Sequence, residues 1–327
     1  MKWLRYAWAI SAVAVAATFG AATAALAEDY PTRPLRLVVV TAAGGLMDVA
    51  ARVTADYIGK ALGQSIVIEN RPGGGGNLGA EAVAKAPPDG YTIGLIQLGN
   101  VAINPHVYAD MTFDPLNDLV PVAPVTSSPI LVVANAKVAA NDLRELIALA
   151  KQRPSKLSYG SGGAGTAPHL AGEMFKGLAG VDILHVPYRG VGPAVNDLVG
   201  GHIQLTFAGW GAVRGPVEAG FAKVLAVAQS QRLKAVPGLP TSAEAGLPGY
   251  EFATWFGIVA PKGMAPLVIA ALARHIHAMQ DDPDVQRSLA ESGLEPLKES
   301  PEQFGVRMRR DYERLRDVVK AAKLKPE

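Results

Sequence analysis

Twice along this chain a short aliphatic run ends in a glycine-rich loop that opens directly into a helix, and that repeated unit restricts the fold to the α/β class. In the first copy, Leu35 to Val40 leads into Thr41-Ala42-Ala43-Gly44-Gly45, after which apolar residues recur at helical spacing from about Leu46 to Leu62. In the second, Leu157 to Tyr159 leads into Gly160 to Gly165 and then a helical stretch from Ala167 to Gly177. Brief continuous apolar runs bounded by glycine are expected to be strands buried on both faces. Strands alternating with helices predict mainly parallel sheets with helices packed on both faces.

The order of the remaining segments predicts two such sheets. Strands at Ile66 to Ile68 and Thr92 to Leu98, with a glycine loop at Gly73 to Gly76, complete the first series. Two extended segments, Val120 to Val125 and Ile130 to Ala134, then meet across the polar Thr126-Ser127-Ser128-Pro129, which predicts a passage from one lobe to another. A second series follows, with strands at Ile183 to Val186, Ile203 to Phe207 and Lys223 to Val227. Its helices are expected at Asp142 to Gln152, Gly192 to Leu198 and Val213 to Ala219. Pro240, Gly246, Pro248 and Gly249 place the return between Thr241 and Ile258, and closing helices are expected at Pro266 to Met279 and Pro301 to Lys323. Two sheets joined by two crossover segments make a hinged cleft. Lobe 1 is expected to comprise residues 28–127 and 250–327, and lobe 2 residues 128–249.

The amino terminus predicts export. Lys2 and Arg5 precede an uncharged run from Trp8 to Phe19, and Ala25-Leu26-Ala27 forms a small-residue cleavage site before Glu28, the first acid of the chain. The run is too short to span a bilayer comfortably, so residues 1–27 are expected to be a signal peptide cleaved after Ala27, leaving no membrane anchor. With no cysteine anywhere, disulfides, thiolate metal sites and a lipid-attachment cysteine are excluded. These features fit a bacterial periplasm. Taking Lys2 and Arg5 from 31 basic side chains leaves 29 against 29 acidic ones, a balance that carries no nucleic-acid footprint.

Function is expected at the two glycine loops. Helix amino termini hold unpaired N–H groups and partial positive charge, so they bind anions without a cationic side chain. Glycine lets a ligand approach the backbone. A charge-assisted hydrogen bond contributes roughly 1.5 to 3 kcal/mol and micromolar affinity requires about 8 kcal/mol, so a few such bonds at each end of a dicarboxylate suffice. Asn100, Phe207, Gly209 and Trp210 follow strand ends on the same side. Asp48 fits a ligand contact and a helix-dipole acid equally, and Arg189 fits a surface or hinge ion pair better than a ligand contact. The G-x-G-x-x-G of Gly74, Gly76 and Gly79 has no acid about 20 residues on, so no nucleotide cofactor is predicted. His275 and His277 diverge on a helix, which argues against metal, and Ser161 lacks the first glycine of a hydrolase elbow, so no catalytic residue is assigned.

The motifs Tyr30-Pro-Thr-Arg-Pro34, Ala43-Gly-Gly-Leu-Met-Asp48, Glu69-Asn-Arg-Pro-Gly73, Pro88-Asp-Gly-Tyr91, His185-Val-Pro-Tyr-Arg-Gly190 and Pro248-Gly-Tyr250 run through essentially the whole mature chain. In these segments it resembles the Bug family, the periplasmic receptors of tripartite tricarboxylate transporters. The resemblance implies a two-lobed periplasmic binding protein of Venus-flytrap type that takes small carboxylates and serves a permease of one large and one small membrane subunit. Carried over by motif, the ligand set is Thr41, Ala42, Gly44, Gly45 and Asp48 in lobe 1, with Ser161, Gly162, Thr166 and His169 in lobe 2. The family usually has proline and an aromatic where this chain has Val40 and Thr41, which exchanges a stacking surface for a hydroxyl. A monomer is expected because the lobes must open and close. The alternatives are a ligand-sensing adaptor for a membrane sensor kinase and a periplasmic α/β enzyme.

Overall fold

The computed structural model describes residues 30–163, 166–188 and 190–321. The expected signal peptide with its Ala27 cleavage site, Ala164 and Gly165 of the second loop, and Arg189 lie outside the described residues. The first series consists of β1 (Leu35–Val39), α1 (Leu46–Leu62), β2 (Ile66–Asn70), α2 (Asn77–Ala84), β3 (Thr92–Gln97), the short helices α3 (Leu98–Ala102) and α4 (Asn104–Val107), and a long β4 (Leu119–Pro129). The chain then crosses into β5 (Leu131–Asn135), α5 (Leu143–Gln152), β6 (Ser158–Ser161), α6 (Ala167–Ala179), β7 (Leu184–Pro187), α7 (Val191–Gly200), β8 (Leu205–Ala208), α8 (Trp210–Glu218) and β9 (Ala222–Val227). It returns as β10 (Ala253–Pro261), α9 (Pro266–Asp281), α10 (Pro283–Glu291), β11 (Glu295–Pro296) and α11 (Pro301–Ala321).

Local chemistry sets the ends of these elements. Gly63 closes α1 in the left-handed conformation at φ 65°, its N–H reaching the carbonyls of Gly59 and Lys60. Asp142 opens α5 by accepting the Glu145 N–H at 2.8 Å. The breakers that mark the return are confined to its first part, and the chain is extended again from Ala253, where the sequence reading placed no strand. The helix α10 and the pair α3 and α4 were likewise not expected.

The sheets are mixed, which corrects the expectation of mainly parallel ones. The first has the order β11-β4-β10-β3-β1-β2 and the second β7-β6-β8-β5-β9. β2, β1 and β3 pair in parallel, but β10 runs antiparallel to both β3 and β4. In the second sheet β6 is parallel to β7 and β8, while β5 is antiparallel to β8 and β9. Apart from the two-residue edge strand β11, which is antiparallel to β4, the reversed strands are β5 and β10, the first ones after each crossing. A chain arriving from the opposite lobe enters at the carboxyl ends of the parallel strands, and so it must run back down the sheet.

The crossings themselves are knitted together. Ile130 donates to the Phe252 carbonyl at 3.0 Å, Phe252 to Ala228 at 2.8 Å, and Ala228 to Ile130 at 2.8 Å. Three strands thus share one hydrogen-bonded joint at the boundary of the sheets. The closing helix α11 is fastened to the first sheet by the buried Trp255, whose Nε1 donates to Asp311 Oδ2 at 2.9 Å and whose ring meets Phe304 edge-on.

Candidate functional site

The first loop is built from below by one carboxylate. Asp48 sits in the first turn of α1, 4% exposed, and its Oδ2 accepts the Gly44 N–H at 3.0 Å and Arg52 Nε at 2.9 Å. Asn70, at the end of β2, donates to Asp48 Oδ1 at 3.2 Å and to the Thr41 carbonyl at 3.0 Å. The Gly44 N–H, then Arg52 and Asn70, hold the Asp48 carboxyl below the usual carboxylate range against the opposing effect of burial. Asp48 is therefore engaged in shaping the loop, while Ala42, Gly44 and Gly45 are exposed above it.

The second loop is held by a neutral column that is buried except at the half-buried His185. Ser161 ends β6 and is 1% exposed; its hydroxyl lies 2.7 Å from His185 Nε2, 3.1 Å from the Gly163 carbonyl and 3.2 Å from the Gly163 N–H. Thr166 donates to the same Gly163 carbonyl at 2.8 Å. The rings of His185 and His169 stack at 3.7 Å, and Tyr159 packs against both and against Phe207. Burial first, and the adjacent His169 second, push the His185 imidazole down to about 4, and burial lowers His169 as well. Both rings are neutral at pH 7.

Helix starts from the two sheets come together at loop 1. Helices α1, α6 and α8 begin at Gly45, Thr166 and Gly209, and none of the three has a side-chain cap. Apart from Ala212, which donates to the Gly209 carbonyl at 3.1 Å, and Pro168, which has no N–H, their first-turn N–H groups are left for an anion or solvent. The start of α8 comes up to the start of α1 across the lobes: a Cβ on Gly209 would lie 3.8 Å from Leu46 Cδ1, and one on Gly211 3.1 Å from Leu46 Cδ2. Ser128, at the end of β4, is 2% exposed, and its Oγ would be 2.6 Å from a Gly209 Cβ. Among the described residues, Thr41 Oγ1 and Ser128 Oγ are buried hydroxyls without a hydrogen-bond partner, unusual for buried polar atoms.

The expected site residues divide by depth. Thr41, Ala42, Gly44, Gly45, Gly162, Thr166 and Gly209 retain surface, whereas Asp48, Ser161 and His169 stand behind them. Asn100 and Phe207 have no exposed surface, which removes them from the lining. The Asn100 amide donates to the Gly75 carbonyl at 3.0 Å and accepts from Gln97 N at 3.3 Å, so it supports the Gly74–Gly76 turn. Phe207 packs on Tyr159 and Phe175. The G-x-G-x-x-G glycines are packing devices: a Cβ on Gly76 would lie 2.7 Å from Asn100 Nδ2 and one on Gly79 2.8 Å from the Arg71 carbonyl. Asn70, His185 and Ser128 were not singled out from sequence as site residues. Asn70 and His185 lie within quoted family motifs, and Ser128 within the polar stretch read as a crossing.

This two-lobed α/β fold is shared with the periplasmic binding protein BugD, 33% identical with a TM-score of 0.77, covering 91% of this chain and 100% of its own, and it defines the class of solute-binding proteins. The chain matches the profile of the tripartite tricarboxylate transporter family receptor over residues 50–324 and belongs to that family. It is 36% identical over 312 residues to protein BugT of Bordetella pertussis, with 94% of this chain and 96% of that protein covered. Among solved structures, an R. palustris protein with adipate is 37% identical with a TM-score of 0.82, covering 91% of this chain and 100% of its own. MatC from Rhodopseudomonas palustris with bound malate is 31% identical with a TM-score of 0.76, covering 89% and 100%.

Proposed function

We propose that the protein is a periplasmic receptor that closes its two lobes on a small carboxylate, performs no chemistry on it, and presents it to a membrane permease of one large and one small subunit. Export would follow cleavage after Ala27, and the mature receptor would act as a monomer with lobes at 28–127 plus 250–327 and at 128–249. The observation that carries this reading is the approach of uncapped helix starts from the two lobes, at Gly45 and Gly209; the loop at Gly162 and Thr166, which opens a third uncapped helix, is assigned to the same site by the family motif. Backbone N–H groups suit carboxylate oxygens. Family membership and the malate and adipate held by related structures support a dicarboxylate.

Calorimetric titration with a panel of mono-, di- and tricarboxylates, malate and adipate among them, tests the proposal. The expected result is saturable binding of at least one acid at one site per chain, with the acid recovered unchanged by mass spectrometry. A chemically altered acid, or no binding across the panel, overturns it.

A further inference from the structure

The start of α8, in the second lobe, meets the first lobe at two places. One is α1, where the contact is the flexible Leu46 side chain. The other is the turn that closes α10 and leads into β11 of the first sheet, and there the contact is backbone. A Cβ on Gly211 would lie 2.5 Å from the Ser292 carbonyl oxygen, and one on Gly293 would lie 2.7 Å from Trp210 Cβ and 3.1 Å from the Gly211 nitrogen. These distances are short of the 3.4 Å at which ordinary contact begins, so neither glycine has room for even a methyl group.

Each half of this seat is anchored on its own side. Trp210 and Val213 are buried in one apolar cluster with Leu198 and Leu233. Ser292 and Gly293 stand between Leu289 and Leu294, which are fully buried in the other cluster and joined by the Leu294 N–H to the Leu289 carbonyl at 3.0 Å. Close-packed interiors transmit strain rather than absorb it. A methyl group inserted at the seat therefore displaces α8 and α10 from each other as bodies, since no side chain is there to turn aside.

We propose that Gly211 and Gly293 form the stop that sets how closely the two lobes shut, and through it the length of acid that the cleft retains. They are positioning residues, acting on the separation of the helix starts at Gly45 and Gly209 rather than on the acid. The seat adjoins that approach, because Leu46, the first residue of α1, also comes within 3.1 Å of a Cβ on Gly211. Glycine on both sides makes the stop as short as a backbone allows. The closed cleft is then at its narrowest, which favours a short diacid over its longer homologues. The selection of length rests on the receptor reading given above, whereas the stop itself does not.

The chain has no cysteine, so spin labels on Ala61→Cys in α1 and Lys151→Cys in α5, both exposed, report the separation of the lobes by double electron–electron resonance, with and without acid. Gly211→Ala and Gly293→Ala are each expected to lengthen the shortest populated distance by about 2 Å, the strain being passed on through packed interiors. Gly215→Ala, on the same helix as Gly211 with open space around its Cβ, controls for helix propensity. Gly220→Ala, at φ 75° against 70° for Gly293 and equally open, controls for backbone strain. Both controls are expected to leave the distance unchanged. In calorimetry the ratio of the succinate to the adipate dissociation constant is expected to rise by about threefold or more in Gly211→Ala and Gly293→Ala, and to hold in the controls. Unchanged distances in both seat variants, or equal shifts in the controls, overturn the stop. Lengthened distances with an unaltered ratio overturn its part in selection. Lengthened distances in a protein that binds no acid at all uphold the stop and overturn the receptor reading instead.

Discussion

The two glycine loops present similar backbone chemistry but are held in place by opposite means. Loop 1 rests on an ionised carboxylate, Asp48, whose partner Arg52 is 62% exposed. Loop 2 rests on a hydroxyl, Ser161, backed by two stacked neutral imidazoles and Tyr159. The difference follows from depth. Arg52 keeps its charge in water, so the pair avoids the desolvation penalty that a fully buried ion pair would incur. The column behind loop 2 is packed into the second lobe, where an unpaired charge would be costly and a neutral ring forming one hydrogen bond is not. Two glycine loops proposed to hold one anion can thus have unlike dependence on acid, salt and substitution.

The largest effects test whether the loops are equivalent at all. Gly44 has φ 88° and open space where a Cβ would go, so Gly44→Val strains the backbone without creating a clash. At Gly162 a Cβ would meet Val191 Cγ2 and the Val191 nitrogen at 3.3 Å, so Gly162→Val must displace the start of α7. Each is expected to weaken carboxylate binding by about 100-fold, equivalent to ~2.7 kcal/mol, as read by calorimetry. The melting temperature should fall further for Gly162→Val. Unaltered affinity in both variants would remove the loops from the site; loss in only one would break their equivalence.

Next in size, Asp48→Ala deprives the Gly44 N–H and Asn70 of their acceptor. A hydrogen bond to a charged group is worth about 1.5 to 3 kcal/mol, and Arg52 is exposed enough to remain solvated. Chemical denaturation should show a loss of that order together with weaker carboxylate binding. Ser161→Ala should cost less, because its partners are neutral and the Gly163 carbonyl keeps its bond from Thr166. If Ser161→Ala proves the more damaging, the roles assigned to charge and burial are reversed.

Much of this architecture was legible because glycine and aliphatic runs alternate so plainly. Leu46–Leu62 matches its expected helix end for end, and the family motifs led to both loops. What was not legible depended on contacts remote in sequence. The reversed β10 lies just after the breakers Gly246, Pro248 and Gly249, and its pairing with β4 is set by the geometry of crossing between lobes. Asp48 was balanced between two readings because the choice rests on Asn70, 22 residues away, and on the Gly44 N–H. Asn100 and Phe207 sit after strand ends as lining residues do, but nothing local shows that the Gly74–Gly76 turn and Phe175 cover them.

The smallest effect is the most specific to the contrast between the loops, because they should weaken in different ranges of pH. His185 has a folded pKa of about 4 against an ordinary value of 6.5. Between these values the unfolded chain binds a proton that the folded chain refuses, so stability falls as pH drops through that range and levels off below it. His106, His169 and His275 are lowered by burial and act in the same direction. Asp48 is depressed instead below the carboxylate range, so its contribution is complete above an unfolded value of about 3.9 and disappears only as pH falls through its lower folded value. Loop 2 should therefore lose support first on acidification and loop 1 last. Urea denaturation at pH 7.5 and 5 should show the wild type losing stability, and His185→Gln, whose amide can still reach Ser161, losing measurably less. Equal losses in the two proteins would mean that the His185 ring does not titrate with folding, and the neutral column could then no longer account for the pH response of loop 2.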